Sequence, residues 1–471
     1  MSNEGIKGKL LRSALIAALG GLLFGFDTAV ISGAEGSLKE IFEPVYLSLS
    51  GLFGSIGFWH GFTVASALIG TIIGSLSFGK PADKYGRRKI LFFLGALYLV
   101  SAVGSALAWD WNSFILSRLI GGLAVGGSSV VAPMYNAEIS PAKFRGRMVA
   151  LTQFNIVFGI LLAFFSNYII SSMNLGENTW RWMFGIEAFP ALAFFLLLFL
   201  NPRSPRWLVS NNLLAEAKCV LEKLGADKGN IEQELSDIQL SLQTEKDTLK
   251  EPLLQKKYLR PILLAVTIAM FNQLSGINAL MYYAPRIFQM AGFEESSAML
   301  SSVGIGFVNL IFTMSAMLII DHFGRRKLML VGSIGYIISL GVCAWAFYKY
   351  GTNFSNTGSI VVLISLLVFI ASHAFGQGAV IWVFISEIFP NRVRARGQAL
   401  GSFTHWFMAA AISWTFPIFA EASGGHIFTI YAICMVGQLI WVLFKMPETK
   451  GISLEDMQKE LLKNNSLIQT K

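Results

Sequence analysis

The sequence predicts an all-α membrane protein of twelve transmembrane helices, arranged as two similar six-helix halves joined by a short cytoplasmic helical insert. Of its 471 residues, 54% are hydrophobic and 14% are charged, where a soluble chain carries about 25% charged residues. Apolar segments of the ~20 residues that cross a bilayer recur twelve times. Two charged motifs also occur once in each half. Together these observations exclude a soluble globular domain.

Short loops separate the predicted spans, apart from one charged stretch in the middle of the chain. The spans cover roughly 11–34, 54–79, 90–108, 113–135, 148–170, 182–200, 259–290, 298–320, 328–348, 358–386, 397–420 and 427–446. We expect an N-terminal half at 1–200, a cytoplasmic linker at 201–257, a C-terminal half at 258–447 and a short cytoplasmic tail at 448–471. Apolar residues at helical spacing between Leu213 and Leu224 favour amphipathic helices in the linker over a flexible connection.

The basic residues are distributed unevenly between the loops. Short loops after even-numbered spans carry fourteen Lys and Arg, whereas those after odd-numbered spans carry three. This bias places the basic loops and both termini in the cytoplasm of a bacterial inner membrane. The net charge of +9 is therefore an orientation signal and does not indicate nucleic-acid binding. No metal or cofactor is expected, because the three cysteines lack ligand or disulfide spacing.

The chain repeats itself in its cytoplasmic motifs. Residues 83–89 (DKYGRRK) recur as 321–327 (DHFGRRK), after the second and the eighth span. Glu-Ile-Ser-Pro at 138–141, followed by Arg145, recurs as Glu-Ile-Phe-Pro at 387–390, followed by Arg394. Two parallel repeats are a recurring transporter plan, with the substrate site near the membrane midplane between the halves.

These motifs combine acids with basic pairs, which suits a gate that opens in every transport cycle. Pairs at such a surface contribute about 1 kcal/mol or less each, and alternating states must lie within a few kcal/mol of each other. We expect Glu138 to pair with Arg145 and Glu387 to pair with Arg394. A purely topogenic role would explain the basic residues but not the acids. The predicted cytoplasmic gate comprises Asp83, Arg87, Arg88, Glu138, Arg145, Asp321, Arg325, Arg326, Glu387 and Arg394.

Asp27 is an acid within the apolar run 15–31. A carboxylate at that depth costs about 2.5 kcal/mol or more, so it indicates a functional residue with a partner. An acid that takes up and releases a proton suits a proton-driven transporter. The alternative is an ion pair that only holds two helices together. Glu187 in the sixth span is a second candidate, unless it is an interfacial acid near the external end of its helix.

Neutral polar side chains also occur within the spans, together with tryptophans. Amides donate and accept hydrogen bonds without a buried charge, and indole faces cover sugar rings. Each residue alone is more often a helix–helix contact or a core aromatic, and spacing does not bring them into one site. The candidates are Gln153, Asn272, Gln273, Asn278, Asn309, Trp382 and Trp406.

Seven runs of sequence resemble the sugar porter family of the major facilitator superfamily, and the resemblance covers nearly the whole chain. The runs are GFDTAVISG (25–33), DKYGRRK (83–89), PMYNAEISPAKFRGR (133–147), QLSGINALMYYAPRIF (273–288), WVFISEIFPNRVR (382–394), SWTFP (413–417) and PETKG (447–451).

The resemblance implies alternating access around a central sugar and coupling of a proton by Asp27 with Arg118. Facilitative uniporters of the family typically carry Asn at the position of Asp27, which favours symport here. The sugar contacts implied are Phe24, Gln153, Gln273, Asn278, Tyr282, Gly378, Trp382 and Trp406.

Three positions depart from the pattern of a proton-coupled member of the family. Asn272 replaces the first glutamine of a Gln-Gln pair, and His405 replaces the glutamine before Trp406. His405 can bond a sugar hydroxyl or titrate near neutral pH. Arg203 replaces the glutamate of a Pro-Glu-Ser-Pro-Arg run, which removes an expected partner of a cytoplasmic arginine.

The function expected from the sequence is proton-coupled import of a pentose or hexose such as xylose or glucose. The expected partners are a monosaccharide, a proton and the lipid bilayer, with the chain acting as a monomer and not as an enzyme. A facilitative sugar uniporter is the alternative. A non-transporting sugar sensor is a remote one, because it would require a signalling extension and the tail after Pro447 is short.

Overall fold

The computed structural model describes residues 8–51, 54–141, 144–225, 231–248, 251–390, 392–422, 424–452 and 456–457, and all regular elements among them are helical. The first eight helices are α1 (Gly8–Ser50), α2 (Ile56–Ser77), α3 (Gly79–Tyr85), α4 (Arg87–Ala106), α5 (Trp111–Ile139), α6 (Arg145–Ser172), α7 (Thr179–Gly185) and α8 (Ala188–Leu197). The predicted linker contains α9 (Pro205–Ser210), α10 (Leu214–Leu224) and α11 (Ile231–Thr248). The later helices are α12 (Leu259–Leu274), α13 (Ile277–Met290), α14 (Glu295–Phe323), α15 (Arg325–Tyr350), α16 (Asn356–His373), α17 (Ala379–Ile388), α18 (Arg394–Ala422) and α19 (Gly424–Phe444).

Eleven helical stretches of the described chain are long and apolar enough to cross a membrane. They coincide with eleven of the twelve predicted spans, and the all-α membrane fold is confirmed. The remaining span, 397–420, forms the continuous helix α18. It is not one of the eleven qualifying stretches, and it carries His405, Ser413 and Thr415 among its apolar residues.

The seventh predicted span is broken at the Leu-Ser-Gly sequence 274–276. Helix α12 ends at Leu274 and α13 begins at Ile277, with Gly276 between them at φ +85°. A Cβ atom on Gly276 would lie 2.4 Å from the ring of Tyr431, so both the backbone and the space require glycine. The break places polar side chains on either side of a helix interruption, as in other transporter binding sites.

The described residues divide into two compact units. The first draws on Met1–Asp27, Ile69–Ile160 and Phe184–Lys250, and the second on Thr28–Leu68, Leu161–Met183 and Glu251–Lys471. Helices α1, α2, α6 and α7 therefore contribute to both units. The division at 1–200, 201–257, 258–447 and 448–471, which follows from the internal repeat, stays a prediction. Of the tail, only 448–452 and 456–457 lie within the described residues.

The linker helices pack onto the first unit. Ala217, Val220, Leu221 and Leu224 of α10 are buried in its hydrophobic core. These are the residues whose helical spacing predicts an amphipathic helix, so this part of the linker is not a loose connection.

Close backbone contacts position the helices that carry the site. A Cβ atom on Gly25 of α1 would lie 1.9 Å from the carbonyl oxygen of Ile156 in α6, and one on Gly159 would lie 2.1 Å from that of Leu22. In α5, a Cβ atom on Gly126 would lie 2.2 Å from the carbonyl oxygen of Thr71. Small residues let membrane helices approach this closely, which agrees with the glycine-rich sequence of the fourth span.

Candidate functional site

Asp27 and Arg118 form a buried ion pair between α1 and α5. Arg118 Nη1 lies 2.5 Å from Asp27 Oδ1, and Nη2 lies 3.4 Å from Oδ2. Nη2 also donates to the backbone oxygen of Asp27 at 3.3 Å, and the guanidinium lies over the Phe184 ring at 5.2 Å. Both side chains are 3% exposed or less. The pairing expected from the family resemblance is present in the structure.

Glu187 belongs to the same buried group. It lies at the turn between α7 and α8, is 2% exposed, and has Asp27 and Arg118 as its electrostatic neighbours. Within the described residues its Oε1 has no hydrogen-bond partner. Glu187 is therefore a buried acid beside the Asp27–Arg118 pair, at the N-terminal end of α8. We call Asp27, Arg118 and Glu187 the carboxylate cluster.

The carboxylate cluster holds two acids against one guanidinium, which remains charged at any accessible pH. With both acids ionised the cluster carries a net negative charge, and a buried uncompensated charge costs several kcal/mol. Binding one proton neutralises the cluster. This arrangement can therefore take up and release a proton within the membrane-spanning part of the chain.

An indole–amide cluster forms where the break between α12 and α13 meets α17 and α18. Gln273 Nε2 donates to Asn272 Oδ1 at 2.9 Å and lies 3.3 Å from both ring nitrogens of His405. The His405 ring centroid lies 5.0 Å from that of Trp382 and 4.9 Å from that of Trp406. Trp382 is 40% exposed, whereas Gln273 and Asn272 are buried. The cluster presents donors, acceptors and an open aromatic face without a formal charge.

The other predicted sugar contacts lie on α1, α6, α13, α14 and the turn before α17. In the second unit, Asn309 Oδ1 accepts from Thr313 at 3.4 Å, Tyr282 is 3% exposed, and Gly378 ends a π-helical turn that begins at Ala374. Near the start of α13, Asn278 Nδ2 is buried without a partner in the described part of the chain. Phe24 and Gln153 are half-buried in the first unit.

The cytoplasmic motif of the first unit is a connected ion-pair group. Arg87 Nη2 lies 2.8 Å from Asp83 Oδ1 and 2.8 Å from Glu138 Oε1. The second oxygen of Glu138 accepts from Ser204 Oγ at 2.5 Å. The sequence analysis expects Arg145 as a partner of Glu138, and the side chain of Arg145 lies outside the described residues.

The second unit repeats this geometry. Arg325 Nη2 lies 2.8 Å from Glu387 Oε1 and 3.1 Å from Asp321 Oδ1, and Thr449 Oγ1 donates to Glu387 Oε2 at 2.6 Å. Arg394, expected beside Glu387, donates from Nε to the backbone oxygen of Phe389 at 3.3 Å. Each glutamate therefore pairs with the first arginine of a GRR motif (Gly-Arg-Arg at 86–88 and 324–326). This pairing was not predicted from the sequence.

A second buried charged group, not predicted from the sequence, consists of Glu35, His60 and Arg286. We call it the Glu35 cluster. Glu35 Oε1 lies 2.6 Å from His60 Nε2 and accepts from Arg286 Nη1 at 2.8 Å. Glu35 and His60 are buried. The cluster joins α1, α2 and α13 within the second unit. One signal was available: Glu35 follows Asp27 by eight residues, which places it on the same face of a helix.

Aromatic and backbone contacts surround the Glu35 cluster. The rings of Tyr46 and Tyr283 lie 5.8 Å and 6.5 Å from that of His60. Trp414 Nε1 donates to the Phe58 carbonyl oxygen at 2.9 Å. A Cβ atom on Gly61 would lie 1.9 Å from the Trp414 carbonyl oxygen, so α2 and α18 are in direct backbone contact here.

A buried neutral network, also missed from the sequence, crosses α15, the π-helical turn and α19. Tyr336 Oη lies 2.6 Å from His373 Nδ1 and donates to Gln377 Oε1 at 3.3 Å. Gln377 donates to Gln438, which donates to Ser333 Oγ at 2.8 Å. The amides occur singly in apolar runs, where spacing alone does not show that they meet.

Ionisable residues that are buried inside membrane spans mark functional sites such as ion or substrate pathways. Comparison with known proteins agrees: the model of the sugar (and other) transporter family matches residues 13–461, and the chain belongs to this family. The D-xylose-proton symporter of Escherichia coli (strain K12) is 37% identical, over 94% of this chain and 94% of that protein.

Two solved structures of the E. coli xylose transporter align over most of the chain. The partially occluded inward-open structure has a TM-score of 0.83 and 34% identity, covering 95% of this chain and 100% of that one. The proton:xylose symporter bound to 6-bromo-6-deoxy-D-glucose has a TM-score of 0.79 and 35% identity, covering 97% and 100%. The resemblance and the predicted fold class are confirmed, and the chain is a multi-pass membrane transporter, not an enzyme.

Proposed function

We propose that this protein imports a monosaccharide together with a proton by alternating access. It acts as a monomer in a bacterial inner membrane with both termini in the cytoplasm. The carboxylate cluster is the observation that carries this proposal, because two buried acids around one arginine form a proton-binding group that a uniporter does not need. The xylose-proton symporter named above supports the same reaction class.

The proton step uses the charge balance of the carboxylate cluster. A proton that enters from outside binds Asp27 or Glu187 and neutralises the group, which lets the Asp27–Arg118 pair loosen at low cost. Release of the proton inward restores the pair. Each turnover thereby moves one positive charge with the sugar, and a membrane potential of 100 mV supplies about 2.3 kcal/mol for it.

Sugar recognition uses the indole–amide cluster. Gln273 and Asn272 supply donors and acceptors for hydroxyl groups, and the exposed face of Trp382 covers the apolar face of the ring. His405 offers a further ring nitrogen beside Gln273. A neutral lining of this kind favours a pentose or hexose over a charged substrate. The D-xylose-proton symporter and the symporter structure bound to a glucose analogue, both described above, support that class.

The cytoplasmic gate closes during part of the cycle through its two ion-pair groups. Each group contains one partly exposed aspartate, one buried arginine and one glutamate. Such pairs are strong enough to hold a helix end and weak enough to separate once per turnover.

Labelled D-xylose and D-glucose uptake into proteoliposomes tests the function directly, with and without an inward proton gradient. We expect accumulation above the equilibrium level for at least one of them, abolished by a protonophore. Equilibration that ignores the gradient would establish the facilitative uniporter, the alternative that lacks a use for the carboxylate cluster. Specific sugar binding without any transport would establish a sensor.

Replacement of Gln273 by alanine is expected to weaken sugar affinity about tenfold or more. It removes hydrogen bonds worth roughly 1 kcal/mol each, and tenfold in affinity corresponds to about 1.4 kcal/mol. The half-saturating sugar concentration for uptake and the dissociation constant of the purified protein should rise together. Gln289→Ala, an exposed amide on α13, is the matched control. Unchanged affinity in Gln273→Ala would remove this residue from the site.

A further inference from the structure

The two GRR helices, α4 and α15, begin in the same way, but among the described residues only α15 has a side-chain partner for its first amide groups. In the C-terminal copy, Gly324 precedes α15 at φ +88°. The carboxylate of Glu448 accepts from the amide of Arg325 at 2.9 Å and from that of Arg326 at 3.1 Å. A carboxylate at this position satisfies otherwise free N–H groups and the positive end of the helix dipole.

The N-terminal copy keeps every other part of this arrangement. Gly86 precedes α4 at φ +92°. Arg88 and Arg326 each donate to two backbone oxygens near the end of the last span of their half. Ser204 and Thr449 each donate to the glutamate that pairs with the first arginine of the GRR motif. The repeat is therefore structural as well as sequential, and it fixes which positions correspond.

The two copies differ at the residue that caps the helix in the C-terminal copy. Pro202-Arg203-Ser204 corresponds to Pro447-Glu448-Thr449, so Arg203 occupies the position of the carboxylate that caps α15. Within the described chain, no side chain accepts from the amide groups of Arg87 and Arg88. Arg87 Nε is also buried without an acceptor there. Among the described residues, the N-terminal copy therefore has the N–H donors at the start of α4 but no carboxylate in the place of Glu448.

A cavity of about 140 Å³ lies at this position. Its lining includes four basic residues, Arg87, Arg88, Lys89 and Arg203, and no acidic one, with Tyr85 and Trp207 among its walls. Arg203 Nη1 lies 3.2 Å from Glu216, but both side chains are more than 40% exposed and Glu216 does not line the cavity. That surface pair contributes about 1 kcal/mol or less. Arg87 is already paired with Asp83 and Glu138, so the cationic character of the cavity comes from Arg88, Lys89 and Arg203.

We propose that this cavity binds a phosphate group, which takes the place of the carboxylate that Glu448 supplies in the other half. A phosphate presents several acceptor oxygens to helix amides and to arginine and lysine side chains at once. The same group is available from the headgroup of an anionic lipid or from a soluble phosphorylated metabolite. Its binding ties the start of α4 to residues 202–204, as Glu448 ties α15 to residues 447–449.

The test measures the melting temperature of the purified full-length protein with each source of phosphate. One arm titrates inorganic phosphate against chloride at equal ionic strength. The other compares nanodiscs of phosphatidylglycerol with nanodiscs of phosphatidylcholine. Arg203→Glu supplies the carboxylate from the chain itself, Arg203→Gln removes the charge only, and Lys80→Gln removes an exposed charge outside the cavity lining.

We expect phosphate or phosphatidylglycerol to raise the melting temperature of the wild type and of Lys80→Gln by several degrees. Arg203→Glu should melt higher than the wild type without phosphate and should not respond to it, and Arg203→Gln should respond less. A response to one arm alone assigns the phosphate to the soluble or the lipid source, and a response to both shows a site open to either. No response of the wild type in either arm, or an equal response in Arg203→Glu, would overturn the proposal. If Arg203→Glu does not fold, the comparison of wild type with Arg203→Gln decides.

Discussion

Asp27→Asn is expected to abolish uphill accumulation of sugar while exchange of labelled sugar across the membrane continues. Asparagine keeps the size of the side chain and its ability to accept a hydrogen bond from Arg118 Nη1, now 2.5 Å from Oδ1. It cannot bind and release a proton. The variant leaves a single titratable acid, Glu187, beside Arg118, so the group no longer needs a proton to become neutral.

The size of the effect follows from the energy that one proton supplies. At 100 mV a single charge contributes about 2.3 kcal/mol, which corresponds to roughly 50-fold accumulation at about 1.4 kcal/mol per tenfold. The wild type should approach that ratio in proteoliposomes, and Asp27→Asn should stay at a ratio near one. Counterflow, in which internal unlabelled sugar exchanges for external labelled sugar, should persist.

Asp237→Asn, an exposed acid on α11, is the matched control and should accumulate sugar as the wild type does. Glu187→Gln separates the two acids: loss of accumulation there as well would show that the proton is shared by the cluster. Preserved uphill uptake in Asp27→Asn would contradict the coupling role of this residue.

Glu35→Gln is expected to open the contact between α2, α13 and α18 and to expose side chains that are now buried. Glu35 pairs with Arg286, whose Nη1 lies 2.8 Å from Glu35 Oε1 and whose side chain is 17% exposed. Removing one member of a buried ion pair typically costs about 3 kcal/mol or more, because the other charge loses its compensation. A shift of that size changes the ratio of closed to open states by roughly a hundredfold.

Cysteine labelling measures this shift. Ser413 is fully buried, and its backbone oxygen accepts from Tyr283 at 3.0 Å, so Ser413→Cys reports on the contact with little change in size. The three native cysteines are replaced by alanine, and a membrane-impermeant maleimide is added from outside. Labelling should be slow in the parent and at least tenfold faster with Glu35→Gln.

Glu40→Gln, an exposed acid on the same helix, should leave the labelling rate unchanged. Gly61→Leu is a positive control, because a side chain at this position would overlap the Trp414 backbone and hold the contact open. The double variant Glu35→Gln/Arg286→Gln should label more slowly than Glu35→Gln, since neither charge is then left alone. Equal labelling of Glu35→Gln and the parent would show that the Glu35 cluster does not hold this contact.

The sequence was sufficient for the fold because the signals there are local. Span length, loop charge and the repeated motifs are each read from residues close together in the chain. Eleven of the twelve predicted spans coincide with helical stretches that are long and apolar enough to cross a membrane. The helix break at Gly276 was equally readable, because Leu-Ser-Gly interrupts an apolar run. Even the span that differs, α18, departs for a local reason: it carries His405 and Ser413 among its apolar residues.

The candidate site was only partly readable because it depends on which helices meet. Asp27 stood out as an acid in an apolar run, and the family resemblance supplied Arg118. The Glu35 cluster joins residues that are 25 and 251 positions apart, and no periodicity links His60 in α2 to Arg286 in α13. The same limit applies to Glu138, whose nearest basic residue in sequence is not the arginine that the fold brings to it.

The polar character of α18 has a consequence for how the chain is made. A segment of low hydropathy enters the bilayer poorly by itself, and α18 is not among the eleven stretches of the described chain that are long and apolar enough to span a membrane. In the finished protein it packs along α12 and also against α13, α17 and α19. We therefore expect insertion of α18 to depend on helices that have entered the membrane before it. Deletion of α12 from the nascent chain should prevent membrane insertion of α18, although the residues of α18 itself are unchanged.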